Sequence, residues 1–178
     1  MNFKMKFLSF LIILSIGLLS FQLPKNIQKK VDKEIKLQFK IDKFLLEPVV
    51  ISDEINSQLV TKMSTNNLFK IYNNDSILGY TFIGKAPSRD NVFDYLVLFD
   101  KDLIILKAKV LIYREDYGGE IGSKRWLKQF IGKTKDDIMV YENDIMAISG
   151  ATISANSMTV AVNNLLKSIS VLHQNKVM

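Results

Sequence analysis

The chain contains no cysteine and a single histidine. Without cysteine there is no disulfide, thiolate metal site, iron–sulfur cluster or thiol nucleophile. His173 sits near the end of an expected C-terminal helix, where a lone histidine is read as a solvated side chain and not as a ligand or base. Any redox chemistry must therefore come from an organic cofactor. Proline is scarce, with three residues in the chain, so each one marks a break. Low-complexity tracts and internal repeats are absent too, which excludes a solenoid or a disordered linker protein. What is present is an apolar fraction of 48% over 178 residues, enough to bury one ordinary core with a terminal appendage.

The net charge of +6 suggests a nucleic-acid partner only until it is mapped. Residues 1–40 hold eight lysines against Asp32 and Glu34, and the remaining chain balances sixteen basic with sixteen acidic side chains. The body is neutral and the excess lies beside an apolar run. That distribution fits membrane targeting, and no nucleic acid is expected as a partner.

Lys4 and Lys6 precede the apolar run from Phe7 to Phe21. A basic head and an apolar stretch of this length form a secretory signal, short for a full span of about 20 residues. The run ends Leu18-Leu19-Ser20-Phe21 without a small-x-small cleavage site. Residues 1–23 are therefore expected as a signal peptide or signal anchor, leaving the body on the extracytoplasmic (periplasmic) side, secreted or anchored to the membrane through its N-terminus.

Pro24 closes the apolar run. Residues 24–66 read as a helical stalk and lead-in, with a helix over 26–40, a break at Glu47-Pro48 and a short helix starting near Ser52-Asp53-Glu54. Residues 67–178 read as the folded domain. Strands are expected over 68–72 and 77–83 around a turn at Asn73-Asn74-Asp75-Ser76, and over 92–99 and 103–113 around Asp100-Lys101-Asp102. Lys107 and Lys109 alternate with Leu106, Ala108 and Val110, the period of a sheet with one wet face. Lys124 to Ile131 reads as a helix stopped by Gly132. Ser154 to Leu172 reads as a helix with Met158, Ala161, Val162, Leu165, Ile169 and Leu172 on its apolar face. The sum is an α+β fold: an antiparallel sheet with helices at its edges, preceded by the N-terminal hydrophobic helix.

The stretch Ala147-Ile148-Ser149-Gly150-Ala151-Thr152-Ile153-Ser154 opens the last helix. Gly150 and Ala151 let backbone approach a ligand. Thr152 offers a hydroxyl where free N–H groups and the helix dipole favour an anion. Ser149, Ser154 and Ser157 add donors. Physically this is a phosphate site with a hydroxyl beside it. On spacing alone, such a stretch is more often a tight turn with Ser154 as the helix cap.

Ser149-Gly150-Ala151-Thr152 resembles the motif of the FMN-binding domain family, which includes flavin-carrying subunits of sodium-translocating NADH:quinone reductase and Rnf-type complexes. That family receives FMN as a phosphoester on the last threonine of the motif, here Thr152. A separate flavin transferase makes the bond with FAD as donor and a divalent metal. The loop Arg114-Glu115-Asp116-Tyr117-Gly118-Gly119-Glu120-Ile121-Gly122-Ser123-Lys124 resembles the acidic, glycine-containing loop that packs near the flavin in this family. The resemblance runs from about residue 67 to 172. It implies Ser149, Gly150, Ala151, Thr152, Ser154, Glu115, Gly118, Gly119, Gly122 and Lys124 as FMN-binding residues, with no metal. One position departs: the family places an acidic residue three before the Ser, where this chain has Met146, and Asp144 stands two residues too early.

Other candidates are weaker. Tyr113, Tyr117 and Trp126 flank the glycine loop and could stack on a flavin, though Trp126 reads as core. Arg114, Lys124 and Arg125 could neutralise phosphate. Asp136-Asp137 reads as a solvated turn. The implied role is a membrane-associated electron carrier docking with membrane electron-transfer proteins, more than a self-contained oxidoreductase. The alternatives are a non-redox envelope interaction module with a degenerate motif, and a flavoenzyme with noncovalent FMN acting on an acceptor such as fumarate or a quinone.

Overall fold

The structure, a computed structural model, describes residues 23–178. The expected hydrophobic leader lies outside these residues apart from Leu23. In chain order the elements are α1 (Lys25–Phe39), β1 (Leu45–Pro48), α2 (Asp53–Gln58), β2 (Leu68–Asn73), β3 (Ser76–Pro87), β4 (Val92–Asp100), β5 (Ile105–Ile112), α3 (Lys124–Leu127) and α4 (Thr152–Gln174). Short 3-10 turns at Gly119–Gly122 and Lys128–Phe130 flank α3. Among the described residues no helix is long and apolar enough to cross a membrane.

The strands form one antiparallel meander in the order β1-β2-β3-β4-β5. Local chemistry sets its turns. Asn74 takes a left-handed φ of 53° between β2 and β3, a backbone region asparagine tolerates. At the next hairpin one oxygen of Asp100 accepts from the N–H groups of Asp102 and Ile104, both at 2.9 Å, so a carboxylate closes the turn.

β4 explains the layering. It is buried from Phe93 to Phe99, and alternate side chains go to opposite faces. Phe93, Tyr95, Val97 and Phe99 pack with Met158, Val162, Leu165 and Ile169 of α4. Leu96 and Leu98 join Phe69 and Ile71 on the other face, against Ile27, Val31 and Ile35 of α1. The result is an α+β domain with helix, sheet and helix in three layers.

That second layer corrects two expectations. The helix expected as part of a stalk is packed on the sheet, because its isoleucines and valine recur every fourth residue and form one apolar stripe. The face expected to be wet is covered by it. Lys107 Nζ lies 2.6 Å from Glu34 Oε2, and Lys30 Nζ donates to the Leu111 carbonyl at 2.5 Å. The lysine stems cover the seam while their heads find acceptors. A strand not anticipated, β1, pairs with β2 at the sheet edge. It ends at Pro48, which an edge strand tolerates because one side needs no donor.

Because α1 belongs to the core, Ile35→Ala is expected to cost about 2–4 kcal/mol, as large-to-small changes in a packed interior do. The urea unfolding midpoint checks this. A shift no larger than that of a surface change, about 0.5 kcal/mol, would make α1 a detached stalk.

Candidate functional site

The site is built on the turn that starts α4. The Ala151 N–H donates to the Ile148 carbonyl at 3.1 Å, and Gly150 in between takes a φ of +77°. A side chain there would strain the turn. α4 begins at Thr152, two residues earlier than the spacing suggested, so Ser154 is not its cap. No side chain caps this helix. The first-turn N–H groups therefore remain available, and the positive end of a 23-residue helix points at whatever lies before it. Thr152 and Ile153 are exposed there, while Ser154 and Ala155 are buried.

The glycine loop comes to the same place. Gly118 has a φ of +75°, and a Cβ on it would fall 2.5 Å from the Ala151 Cβ and 2.9 Å from the Gly150 carbonyl oxygen. Only glycine permits that approach. Gly119 and Gly122 differ, since a Cβ on either would meet nothing within 4 Å. Tyr113, just past β5, hydrogen-bonds through its hydroxyl with Ser154 Oγ at 3.0 Å, and its ring meets Phe93 edge-on at 6.0 Å. A cavity of about 190 Å³ remains, lined by Arg89, Tyr113, Glu115, Tyr117 and residues 150–154.

A larger groove of about 900 Å³ runs along the end of β3 that extends beyond its pairing with β2, between the start of α1 and the Asn156, Val160 and Asn164 side of α4. It holds neither Thr152 nor any glycine of the loop, which reaches it only through Arg114. The smaller cavity is the candidate site, because the hydroxyl and the open helix end meet there.

The charged groups sort themselves differently from the expectation. One oxygen of Glu115 accepts from Ser88 Oγ and from the N–H groups of Asp90 and Asn91, each at 3.0 Å. The Ser88 bond, with help from the two amides, holds this carboxyl below the ordinary glutamate range. Glu115 thus clamps the loop that carries Arg89 to the cavity. Arg114 is committed elsewhere: it lies 2.5 Å from Asp94 Oδ2 and donates to the Val92 carbonyl at 2.7 Å. Lys124 and Arg125 are exposed on α3, and neither they nor Ser149, Gly119 and Gly122 line the cavity. His173 is exposed.

Trp126 is core, edge-on to Phe130 at 5.4 Å. Its indole N–H donates to the Met146 carbonyl at 2.7 Å, and the Met146 N–H donates to Gln129 Oε1 at 2.9 Å. The backbone at 146 is therefore fixed, while its side chain projects outward, 61% exposed. Asp144 does not substitute for the missing carboxylate, because it accepts from the Val140 N–H at 2.8 Å and closes its own turn. Asp137 likewise closes a turn, by accepting from the N–H and hydroxyl of Thr134.

Two residues of the site were not anticipated. Arg89 had no distinguishing pattern in the sequence. Tyr141 has a hydroxyl that is buried without a hydrogen bond and that lies beside the Thr152 side chain. Burial, then the charge of Glu142, pushes its phenol up, and Thr152 pulls the other way.

In comparison with known proteins, residues 92–167 match the FMN-binding domain family. That match contains the glycine loop, Tyr141 and the whole turn before α4. No curated protein matches the chain.

Gly118→Ala is expected to destabilise the fold by about 1–3 kcal/mol, from strained backbone and the clash with Ala151. Gly119→Ala is expected to stay within about 0.5 kcal/mol. Equal unfolding midpoints for the two would refute the packing described for the loop. The Glu115 clamp has a pH signature. Its folded-state pKa is depressed, so its contribution is present above the ordinary glutamate value of 4.5. It is lost only as pH falls through the lower folded value. The protection of the Asp90 and Asn91 amides, relative to their intrinsic exchange rates, should therefore fall under acid and already be low at neutral pH in Glu115→Gln.

Proposed function

Starting from residues 92–167 as an FMN-binding domain, we propose that the chain carries FMN as a phosphoester on Thr152. We further propose that it works as an extracytoplasmic electron carrier between membrane redox partners. The observation that carries this reading is exposed Thr152 at an uncapped helix N-terminus, lining a cavity beside the Gly118 loop. An anion is stabilised there by the first-turn N–H groups and the helix dipole.

The residues present fit the group. Thr152 supplies the ester oxygen. The N–H groups of the first turn face the phosphate, and the guanidinium of Arg89 supplies charge at the cavity wall. Gly150 and Gly118 keep side chains out of the way. Tyr113 and Ser154 hold one another, so the wall behind the hydroxyl is rigid. Tyr117 is 63% exposed and offers a flat aromatic surface at the rim. At about 190 Å³ the cavity is smaller than the roughly 300–1,000 Å³ of ligand pockets that enclose a small molecule. It suits the phosphate end, with the ring system left accessible to a docking protein. Bound FMN supplies one- and two-electron transfer; the chain binds it, orients it and keeps it attached.

Attachment needs a flavin transferase with FAD as donor. The basic head and apolar run at the N-terminus support export and membrane association. Outside the cytoplasm a covalent tether makes sense, because a lost cofactor is not readily replaced there. Met146 favours a second reading, a non-redox module with a degenerate motif, because no carboxylate stands where the family has one.

Coexpression with a flavin transferase is expected to add one FMN-sized increment to the intact mass of the parent and none to Thr152→Ala. The parent's yellow colour should survive denaturation. Equal masses would end the covalent reading. Colour lost on denaturation would leave noncovalent FMN, and no colour at all would favour the non-redox module.

A further inference from the structure

We propose that Tyr141 is a positioning residue for the flavin ester: its hydroxyl, beside Thr152, donates to the phosphate as the bond to that residue forms and holds it afterwards. This rests on the covalent reading above and adds a residue to it.

A buried polar atom without a partner is uncommon and calls for a reason. Tyr141 Oη is such an atom, and its neighbour is the acceptor threonine. The contact between the two hydroxyls falls short of an ordinary hydrogen bond. A phosphoryl oxygen arriving at Thr152 would give this phenol the acceptor it lacks.

The backbone leading to Tyr141 is held by α4. The Met139 N–H donates to Asn163 Oδ1 at 3.0 Å, and Asn163 Nδ2 donates to the Met139 carbonyl at 2.7 Å. The chain then passes into a turn closed by Asp144 on the Val140 N–H and by the Glu142 N–H on the Ile145 carbonyl, both at 2.8 Å. The backbone on both sides of Tyr141 is thus fixed, one side of it to the helix that carries Thr152. At neutral pH the phenol is protonated and is a donor.

The transfer balances without redox change. Thr152 Oγ forms a bond to the flavin-side phosphorus of FAD. The bond from that phosphorus to the bridging oxygen breaks, and AMP leaves with the electron pair. The hydroxyl proton of Thr152 goes to solvent. The product is a phosphodiester with one negative charge, and Tyr141 donates to one of its free oxygens. The backbone of Met146 is occupied by Trp126 and Gln129, which leaves the Tyr141 phenol as a buried donor beside Thr152 without a partner of its own.

The test uses the full chain, a flavin transferase, FAD and magnesium, comparing the parent with Tyr141→Phe. The variant loses an unpaired hydroxyl, so its urea midpoint should match or exceed the parent's. Its rate of covalent FMN uptake, followed by intact mass, should fall about tenfold, the scale of one charge-assisted hydrogen bond. The 31P resonance of its folded ester should move toward that of the denatured ester. Uptake at the parent's rate with an unchanged 31P resonance would overturn the role of Tyr141 while leaving the ester intact. A parent chain that takes up no FMN would overturn the covalent reading, and this role with it.

Discussion

The turn before α4 is pinned by a contact that admits no side chain. Gly118 lies so close to Ala151 and the Gly150 carbonyl that a Cβ would overlap both. Two segments more than thirty residues apart are thereby fixed against each other. Because Gly150 and Gly118 both adopt left-handed backbone, the turn and the loop can face one another without an intervening side chain. The direction of α4, the exposure of Thr152 and the size of the cavity all follow from that contact.

The rest of the molecule makes the contact stiff. α4 sends Met158, Val162, Leu165 and Ile169 into the main core, so its start cannot slide. β4, buried on both faces, ties that core to the α1 layer behind it. The polar groups near the site mostly hold structure: Glu115 clamps residues 88–91, Arg114 serves Asp94, and Trp126 fixes residue 146. What faces the cavity or lies beside Thr152 is a hydroxyl, open helix N–H groups, the exposed Arg89 guanidinium that also pairs with Asp90, an exposed tyrosine and the Tyr141 phenol. In the proposed reading that set would hold the phosphate and offer a flat ring beside it.

Much of this was legible in the residues. The period of two in β5 and the three-and-four spacing in α4 are strong signals, because they persist over whole elements. The motif at 149–152 and the glycine loop were recognisable as segments, and the structure brings them into contact. Four-residue β1 was not legible, since it is short, half-exposed and ends in proline. The α1 stripe is three apolar residues among lysines, which reads as a solvated helix until a sheet is placed beneath it. The roles of Glu115 and Arg114 depend on Ser88 and Asp94, distant in sequence, and no spacing shows such pairs. Arg89 and Tyr141 escaped for the same reason.

The most direct measurement is fragment-ion mass spectrometry of the tryptic peptide from Asp136 to Lys167, which contains Ser149, Thr152, Ser154 and Ser157, after flavin loading. The account predicts a single FMN adduct whose fragment series breaks at Thr152. An adduct on Ser149, Ser154 or Ser157, or an unmodified peptide from protein exposed to an active transferase, would contradict it.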